Sequence, residues 1–557
     1  MELFIIFLSI NFFFFATLGY GNLFIKIVGE KYYNPSLGEI GYLGFFTISL
    51  LVLFFHFFLP LNLLFNSILY LIGFAFFLQN IRSNSLQLAK YYKFLLTILF
   101  LSILMFIKYK PNEDFGYYHL PYITNLIEEK IIFGLSNLQL NQGWNSIWLN
   151  IKSTYHVFLL NFNGIFFSNV IFYLFTSLIF YEKLNDSFSN KKSIFIFTFC
   201  LFFLIFLNSK FSRLNSFGLD VPSNFLLIYI FILFFLIIQN EEKHEKSFRL
   251  FEYLVIFCLF SISFRIINVL ILILPLIFLI KYKIFFIKIF RSKIIFAGIL
   301  FFLFFSAQQI VYTGCFLIPN NLTCITNLSW FDPNIIENFI TDTTKVNKSF
   351  QSYEGDLTRE EYLANFNWVK NWYLRNKIEL FEHVGTFLAL IIVYIFFLGK
   401  NTKNNQVFNT QNNFVLLFIL IAFIMWFLNA PVVRFGTIYI QSLILILIIN
   451  VFKKKIVLQP KKNFLYFLIS ISFLINFVKN TNRIVSNDID DDHYPTIPQI
   501  VYKTEFNQNI QLNSPISNPE IAKSELCWNV KALCRMGGFS DLEVSKYNNY
   551  IFIKKTD

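Results

Sequence analysis

The feature that most limits what this chain can fold into is a series of about fourteen apolar runs that recurs along its length. They lie near residues 3–19, 41–59, 61–79, 94–109, 155–181, 194–208, 223–239, 251–264, 266–280, 294–311, 384–398, 413–428, 435–452 and 463–478. An aqueous core cannot hold so much apolar surface, whereas a bilayer can. Several runs are shorter than the roughly 20 residues that cross about 30 Å of hydrocarbon, so their helices must extend into polar flanks or the bilayer must thin. The sequence predicts an all-α polytopic membrane protein with about fourteen transmembrane helices.

The chain is organised as one membrane domain followed by a polar tail. The first run lacks a basic start and a convincing cleavage site, so we interpret it as a helix and not as a signal peptide. No internal repeat and no Gly/Ser-rich or Pro-rich linker separates the later runs. We therefore expect a transmembrane domain over residues 1–478 and an extracytoplasmic C-terminal region over residues 479–557.

The formal net charge of +13 raises the question of nucleic acid as a partner. The lysines and arginines, however, fall mainly in short segments between the apolar runs, where membrane topology explains them better. They occur in alternate loops, at Lys26 and Lys31, Arg82 to Lys93, Lys183 to Lys192, Lys243 to Arg249, Lys281 to Lys293, Lys400 and Lys403, and Lys453 to Lys462. With these loops in the cytoplasm, both termini and segments 110–153, 312–383 and 479–557 lie outside. We expect the bilayer, and no nucleic acid, as the partner.

The six cysteines separate into two groups under this topology. Cys200 and Cys258 lie within apolar runs, whereas Cys315 with Cys324 and Cys527 with Cys534 lie in outer segments. Two local disulfides fit an oxidising compartment, and each would contribute about 2–3 kcal/mol by closing a small loop. Zinc is the competing interpretation, but no histidines cluster with these cysteines.

The three outer segments differ in composition. Segment 110–153 holds an amphipathic stretch and several Trp and Tyr residues, which suit the headgroup level. Segment 312–383 holds a cysteine pair and a predicted helix from Arg359 to Lys377. The last segment ends in short alternating runs around Tyr550, so we predict a small, partly β-structured region there.

Asp114 is the first candidate for chemistry, because carboxylates beside the lipid are few when only 14% of the residues are charged. A carboxylate at this face could deprotonate an acceptor hydroxyl, an effect worth about 10² to 10⁴ in rate. The alternative is that Asp114 closes a turn or caps a helix. His119, five residues further on, could orient the acid or bind phosphate, but packing is the commoner role of a lone histidine.

Asp220 is the second carboxylate at an outer helix entrance, in the sequence Gly218-Leu-Asp220-Val-Pro222. Its plain interpretation is an N-cap with Pro222 in the first helical turn. If the outer loops converge, Asp114 and Asp220 could instead flank one pocket, where they would hold a divalent cation or share the work of a base. Spacing alone leaves both interpretations open.

Four cationic residues lie at the outer boundary. Arg265 stands between two apolar runs with almost no loop, where an arginine costs about 2.5–3.5 kcal/mol at mid-membrane unless an anion compensates it. Arg434 lies at a comparable boundary, and a guanidinium can donate two hydrogen bonds to a phosphate. Either arginine could instead reach ordinary headgroups. Lys210 and Arg213 oppose the positive-inside trend and are weaker phosphate-binding candidates.

The segment from Asp114 to Trp148 resembles multi-pass bacterial glycosyltransferase-like membrane proteins of the GT-C superfamily. The resemblance rests on Asp114-Phe-Gly-Tyr-Tyr-His119-Leu-Pro121, Gly134-Leu-Ser-Asn137-Leu and Gly143-Trp-Asn145-Ser-Ile-Trp148. Shorter pieces continue it through Asp220-Val-Pro222, Phe264-Arg265, Thr313-Gly314 with Pro319, Ser329-Trp330, Arg434-Phe-Gly436 and Cys527-Trp528, so that it spans nearly the whole chain. The chain departs from the family pattern in having about three helices before the one that leads into the first loop, and in having no Asp-Glu or Asp-x-Asp pair at Asp114.

The resemblance implies a GT-C-like fold in a bacterial inner membrane. It also implies transfer of a sugar from a polyprenyl-phosphate carrier to a glycan, lipid or protein acceptor at the outer face, with inversion at the anomeric carbon. Asp114 matches the expected catalytic base, and His119 and Asp220 are expected to support it. Tyr118, Asn137, Asn145, Trp148, Arg265 and Arg434 are the expected substrate-binding residues. No cofactor is required by this scheme, although a divalent cation remains a candidate.

Two other functional classes fit parts of the same pattern. A transporter or flippase of lipid-linked saccharides also needs many helices, but it should place ionisable residues or broken helices near the midplane. A non-catalytic assembly or polymer-export subunit would keep Asp114 without depending on it. The notable charges here crowd the outer boundary, which favours catalysis at one face.

Overall fold

The computed structural model describes residues 2–29, 32–108, 114–143, 146–190, 194–210, 214, 218–240, 242–318, 320–396, 412–452, 462–486, 511–512, 521–523, 527, 533–535 and 542–555. Of the residues named above, Lys31, Asn145, Lys191, Lys192, Arg213, Pro319, Lys400, Lys403, Trp528 and most of 453–462 lie outside this part of the chain.

Helices make up most of the described chain. The α-helices are α1 (Glu2–Val28), α2 (Leu37–His56), α3 (Leu63–Gln79), α4 (Ile81–Phe106), α5 (Leu120–Glu128), α6 (Leu135–Leu138), α7 (Ile147–Thr154), α8 (Ser168–Asn190), α9 (Ile194–Lys210), α10 (Asp220–Gln239), α11 (His244–Phe264), α12 (Ile273–Lys281), α13 (Lys283–Ile289), α14 (Lys293–Thr313), α15 (Pro333–Asn347), α16 (Arg359–Leu363), α17 (Trp368–Leu380), α18 (Thr386–Phe396), α19 (Asn412–Asn429), α20 (Val433–Phe452) and α21 (Lys462–Val485). Short 3₁₀ turns occupy Leu140–Gly143, Phe162–Phe167, Ile266–Leu272, Asn321–Thr323 and Phe350–Ser352, and π-helical turns occupy Phe115–His119 and Phe381–Gly385.

The predicted all-α polytopic architecture is confirmed, and each of the fourteen apolar runs contains helical structure. Within the described residues, however, eight helices are long and apolar enough to cross a membrane, or nine if a bent pair counts as one span. Four further apolar helices are shorter: Leu63–Gln79, Ile196–Lys210, Val415–Asn429 and Val433–Ile449. A count of fourteen spans therefore stays a prediction.

Small residues allow the first three helices to approach closely. A Cβ atom built on Gly19 of α1 would lie 1.8 Å from the carbonyl oxygen of Gly73 in α3. A Cβ atom on Gly44 of α2 would lie 2.0 Å from the carbonyl oxygen of Thr17 in α1. Contacts this short leave no room for a side chain. In a membrane the hydrophobic effect does not drive helices together, so close packing through small residues does so instead.

The large loop segments gather at one end of the helix bundle, which we call the loop end. Phe133 forms a parallel β-bridge with Phe552, and the amide of Asn137 donates to the carbonyl oxygens of Trp330 and Ile553 at 2.8 and 2.9 Å. Lys555 pairs with Asp332 at 2.5 Å. Parts of all three segments predicted to share one side of the membrane are therefore in contact. Which side that is remains a prediction.

The opposite end gathers the short basic loops. Lys183 of α8 pairs with Glu39 of α2 at 2.8 Å, and Arg249 of α11 donates to the carbonyl oxygen of Gly29 at 2.6 Å. The alternation of the loops between two ends matches the alternation of basic and non-basic loops in the sequence.

The C-terminal region contains the strands that its alternating pattern predicts. β1 (Gln511–Leu512), β2 (Ile521–Lys523) and β3 (Leu533–Arg535) form one small sheet, in which β1 and β2 are antiparallel and β2 and β3 are parallel. β4 (Leu542–Tyr547) and β5 (Tyr550–Lys555) form an antiparallel hairpin. Ile551 and Ile553 of β5 are buried against the helical core, which explains the alternation around Tyr550.

Both predicted disulfides are present, Cys315–Cys324 and Cys527–Cys534. Cys200 and Cys258 are buried and form no disulfide.

The predicted helix from Arg359 to Lys377 is wrong as a single element. It divides into α16 and α17, because Asn365 and Phe366 both adopt positive φ angles, 46° and 65°, which an α-helix cannot include.

Candidate active site

Three charged residues meet at the loop end, and we call them the outer trio: Asp220 at the start of α10, Arg265 directly after α11, and Arg434 near the start of α20. One carboxylate oxygen of Asp220 contacts a terminal nitrogen of Arg265, and the other accepts from Nε of Arg434 at 2.7 Å. The ring of Phe435 lies 4.2 Å from the Arg265 guanidinium carbon and 5.7 Å from that of Arg434. Two guanidinium groups thus share one carboxylate and one aromatic face.

The two arginines of the trio differ sharply in exposure. The side chain of Arg265 is 8% exposed, whereas that of Arg434 is 58% exposed. Arg265 has almost no access to water and depends on Asp220 and Phe435. Arg434 can leave Asp220 and still be solvated, so it is the member that an incoming anion can engage without breaking the buried pair.

Asp220 does not serve as the N-cap that its sequence context suggests. It is the first residue of α10, Leu219 occupies the cap position, and no side-chain capping bond is made. Its carboxylate turns instead to the two arginines. Both of its oxygens are engaged by guanidinium groups, and its predicted catalytic role stays a prediction.

Neighbouring amides fix the helix ends that carry the trio. Asn268 donates to Ser223 Oγ at 3.0 Å and to the carbonyl oxygen of Ser261 at 3.1 Å, which joins the start of α10 to the end of α11. Asn224 donates to the carbonyl oxygen of Arg434 at 3.1 Å, which joins α10 to α20. The trio is therefore assembled by hydrogen bonds from helix ends, not by flexible loops.

The first outer segment reaches this assembly through α7. Ser146 donates to the carbonyl oxygen of Phe264 at 3.1 Å, directly before Arg265. The fully buried Trp148 stacks on Phe264 with ring centroids 5.3 Å apart and donates to Asn169 at 3.1 Å. Trp148 thus supports the end of α11, and its predicted contact with substrate stays a prediction.

Asp114 begins a π-helical turn, Phe115–His119, that lies outside the candidate membrane spans. It is partly buried, with no capping bond from its side chain, so its cap interpretation is not supported. π-Turns widen a helix locally and occur often at functional sites. This one turns Phe115 and His119 into the protein core while Asp114 keeps access to solvent.

The phenol of Tyr118 is influenced by the charges of both Asp114 and Arg434. Burial raises the pKa of the Tyr118 phenol, the charge of Asp114 raises it further, and the charge of Arg434 lowers it. The phenol is therefore within electrostatic reach of both charges and stays protonated, so that it can donate a hydrogen bond. Asp220, Arg265 and Arg434 are joined by direct ion pairs, whereas Asp114 is related to them only by the charge effect that it and Arg434 both exert on Tyr118.

His119 is 4% exposed, and its ring lies 4.3 Å from that of Tyr118 in an edge-on arrangement. Burial lowers the pKa of His119 to about 3, with further contributions from the charges of Lys152 and Arg434. The imidazole is thus neutral at physiological pH. It can orient a neighbour or accept a hydrogen bond, but it cannot act as a cation towards phosphate.

The hydrogen bonds of Asn137 connect parts of the chain to one another. It is 3% exposed, and its amide nitrogen is shared between the carbonyl oxygens of Trp330 and Ile553. These bonds tie the first and second outer segments to the C-terminal hairpin. The predicted binding of substrate by Asn137 stays a prediction, as does that of Asn145, which lies outside the described residues.

Two groups near the trio were not identified from the sequence. Lys152 of α7 is 1% exposed, and burial lowers its pKa well below the usual range. Glu379 of α17 is partly buried, and its pKa is raised by burial while the charges of Arg434 and Lys210 lower it. A lysine in an outer segment, against the positive-inside trend, was the signal that could have singled out Lys152.

Lys210, a weaker phosphate candidate, is occupied by an exposed partner. It pairs with Glu382 at 2.7 Å, and the side chains of Lys210 and Glu382 are 21% and 56% exposed.

No group of three or more His, Cys, Asp or Glu residues suited to a metal ion occurs in the part of the chain that the structure describes. A requirement for a divalent cation therefore stays untested.

The arrangement combines three chemical capacities within the loop end. Two guanidinium groups against one carboxylate leave a net positive charge, which favours an anion such as phosphate. A partly solvated carboxylate at Asp114 can accept a proton. Tyr118 and the neutral His119 supply uncharged hydrogen-bonding groups close to both.

A family profile described as a domain of unknown function (DUF8201) matches residues 3–441. The matched range includes Asp114 and the outer trio and ends before the C-terminal strands. No curated protein and no solved structure gives a significant match.

Proposed function

The chain belongs to the family of the domain of unknown function DUF8201, and we propose that it is an inverting membrane glycosyltransferase that uses polyprenyl-phosphate-linked sugars. The observation that carries the proposal is the outer trio, in which a buried arginine and an exposed arginine share Asp220 within electrostatic reach of the Asp114 segment. The GT-C resemblance of the first outer segment supports the same reading.

The donor would bind through its phosphate. Arg434, which is 58% exposed, would donate one or two N–H hydrogen bonds to the phosphate oxygens. Arg265 would stay paired with Asp220 and add positive charge from its buried position. The isoprenoid tail of such a carrier must lie in lipid beside the phosphate site. An apolar helix bundle is surrounded by lipid and so allows this. No nucleotide-binding element is needed, because the sugar arrives already activated.

Asp114 would act as the general base. The acceptor hydroxyl would attack the anomeric carbon from the side opposite the phosphate, so that a glycosidic bond forms as the bond from the anomeric carbon to the phosphate oxygen breaks. The proton of the hydroxyl passes to Asp114, and the electron pair of the broken bond leaves with the phosphate. One displacement of this kind inverts the anomeric carbon.

The neighbouring residues would position these reactants. Tyr118 would donate a hydrogen bond from its protonated phenol, and neutral His119 would support that ring. Asp220 would hold the two guanidinium groups in place and so act as a positioning residue, in contrast to the base role considered for it from the sequence. The acceptor would be a glycan, lipid or protein that reaches the loop end from outside.

One observation favours the rival function, a transporter or flippase of lipid-linked saccharides. Helix α12 and helix α13 form a pair bent by 111°, and broken helices are frequent in transporters. The break, however, lies between α12 and α13, at the bundle end where Lys288 pairs with Glu245 in the first turn of α11. The trio also lies at a helix boundary, so catalysis at one face accounts for more of the charged residues.

The experiment that tests this function uses purified full-length protein in lipid nanodiscs. It receives decaprenyl phosphates that carry different radiolabelled hexoses or pentoses, with a lipid and glycan extract as acceptor. We expect one donor to be consumed by the wild type, with the label transferred to acceptor. Asp114→Asn should lower that turnover by about 10²- to 10⁴-fold while donor binding is retained, because only the base is lost.

A matched control is Asp342→Asn, which removes a carboxylate from the second outer segment. The Asp342 side chain is 63% exposed, and among the ion pairs of the described residues it pairs only with Lys345. This variant should turn over at the wild-type rate. Equal turnover by Asp114→Asn and the wild type would move the chemistry elsewhere. Donor flipping across proteoliposomes without label transfer would favour the transporter.

A further inference from the structure

The short helix α13 lies across the direction of the helices around it. The segment Ile266–Lys281 bends by 111° into Lys283–Ile289. Its seven 3₁₀ residues and nine α-helical residues rise about 27 Å together, close to the hydrocarbon thickness of a bilayer. If this segment crosses the bilayer, α13 emerges at the membrane surface and lies nearly in its plane.

This helix is held to the bundle by one side and exposes apolar side chains on the other. Phe285 is 1% exposed and packs against Phe248 and Phe251 of α11, with ring centroids 5.2 and 5.3 Å apart. Around it, four large apolar residues are exposed by 53% to 79%: Ile284, Phe286, Ile287 and Phe290. An aqueous surface disfavours such a group of side chains, whereas the boundary between headgroups and acyl chains accommodates it.

Cationic residues surround this apolar surface. Lys281, Lys283, Arg291 and Lys293 are all exposed, and they lie within one stretch of thirteen residues that contains no Asp or Glu. A fifth cation, Lys288, is paired with Glu245 of α11 at 2.6 Å, which fixes α13 to the bundle. Exposed apolar residues flanked by lysine and arginine are typical of helices that bind anionic membrane surfaces.

The basic surface lies at the opposite end from the outer trio. Glu245 belongs to the first turn of α11, whereas Arg265 directly follows its last residue. The 21 residues of α11 span about 31 Å, so the full thickness of the hydrocarbon separates the two charged regions. The surface therefore lies at the end of the bundle that is remote from the candidate active site.

We propose that α13 and its flanking cations form a binding site for anionic phospholipid headgroups, with the exposed apolar side chains inserted among the acyl chains beneath them. The charge complementarity and the in-plane orientation commit the surface to a lipid occupant in preference to a soluble acidic protein. The site is independent of the proposed sugar transfer and would persist in a catalytically inactive chain.

The test compares phosphatidylglycerol with phosphatidylcholine. Full-length protein in detergent micelles is titrated with each lipid, and the bound lipids are counted by native mass spectrometry. The variant Lys281→Gln/Lys283→Gln/Arg291→Gln/Lys293→Gln should lose at least tenfold in phosphatidylglycerol affinity, because each cation near an anionic surface contributes roughly a fivefold factor. Phosphatidylcholine binding should be unchanged.

A matched control removes four exposed cations elsewhere: Lys26→Gln, Lys90→Gln, Lys93→Gln and Lys243→Gln. This control should retain phosphatidylglycerol affinity within about twofold of the wild type. Equal affinities for the wild type and the α13 variant would overturn the proposal, and so would an α13-dependent binding of poly-glutamate that exceeds that of the lipid.

A second measurement does not depend on the folding of the charge variant. The single substitution Phe286→Trp adds an eighth tryptophan on the exposed side of α13, and its emission is measured as the difference between the variant and the wild type. In phosphatidylglycerol vesicles its emission should be shifted to shorter wavelength and quenched by lipids brominated near the headgroup. Emission typical of water, without quenching, would mean that α13 does not enter the membrane surface.

Discussion

The two ends of the bundle each contain a buried ion-pair cluster, and the two clusters are built differently. At the opposite end, Lys183 and Glu39 are 8% and 2% exposed, and each also bonds to tyrosine: Lys183 donates to Tyr33 at 2.9 Å, and Tyr229 donates to Glu39 at 3.0 Å. Lys183 pairs with Glu39 inside a set of tyrosine hydroxyls, and a second buried carboxylate, Glu182, accepts from the backbone N–H groups of Leu37 and Gly38 beside it. Such a cluster stabilises the position of helices that it joins.

The outer trio is open by comparison. It has one carboxylate for two guanidinium groups, and the second of these is 58% exposed. A cluster with excess positive charge and an exposed arginine is not needed for helix packing alone, because an apolar residue or a single arginine would fill the same space. We therefore use the charge excess and the exposure of a cluster, more than its burial, to distinguish the structural role of the first cluster from the binding role proposed for the trio.

The largest expected effect breaks the closed cluster. Lys183→Met leaves Glu39 buried without its cation, which should lower the free energy of unfolding by about 3–5 kcal/mol. The measurement is unfolding in mixed micelles by titration with dodecyl sulfate. The double variant Glu39→Gln/Lys183→Met should recover at least half of this loss, since Glu39 is then no longer a buried charge without its cation. A double variant as unstable as the single one would contradict the comparison.

The next effect concerns the open cluster. Arg434→Gln should weaken binding of decaprenyl phosphate about 10- to 100-fold, because hydrogen bonds to charged groups contribute about 1.5–3 kcal/mol. Its free energy of unfolding should change little, since the side chain is largely exposed. Isothermal titration in nanodiscs and the same micelle unfolding assay give the two values. A large loss of stability with unchanged binding would make the trio a second structural cluster.

A third prediction uses the acidity of His119. Its pKa is about 3 in the folded chain, below the ordinary value of 6.5. As the pH falls, the histidine is therefore protonated at a higher pH in the unfolded chain than in the folded one. The stability from neutral His119 is complete above about pH 6.5 and is lost as the pH falls towards 3. At pH 5 the loss should be roughly 2 kcal/mol relative to pH 7. His119→Gln should decline less over this range by that amount, and parallel declines would refute the prediction.

The smallest effect is expected at the exposed pair of Lys210 and Glu382. Lys210→Gln should change the free energy of unfolding by no more than about 1 kcal/mol, because solvent screens exposed ion pairs. Binding of decaprenyl phosphate should stay within about twofold of the wild type. A loss as large as that of Arg434→Gln would extend the phosphate site beyond the trio and change its boundary.

The fold was predictable where a local pattern determines it. Apolar runs of sufficient length predict helices, alternating basic loops predict which segments share an end, and paired cysteines predict disulfides. The helix between Arg359 and Lys377 was mispredicted because nothing in its composition indicates the positive φ angles at Asn365 and Phe366. The number of spans depends on where helix ends meet lipid, which apolar content alone does not determine.

The site was predictable in part. Asp220, Arg265 and Arg434 could be selected one by one, because charges at apolar boundaries are rare in this chain. Their ion pairing could not be predicted, since contacts between α10, α11 and α20 depend on tertiary packing. For the same reason the closed cluster was missed: Glu39 and Lys183 are 144 residues apart, and Lys183 looked like one more basic loop residue.

In the proposed function the loop end performs the chemistry, whereas the closed cluster at the opposite end only stabilises the fold. The most direct measurement is sugar transfer per folded molecule by Asp114→Asn and by Glu39→Gln, each normalised to the folded fraction from gel filtration. We predict that Asp114→Asn loses at least about 100-fold, whereas the folded fraction of Glu39→Gln transfers sugar at the wild-type rate. Full activity in Asp114→Asn, with activity lost in folded Glu39→Gln, would contradict this account.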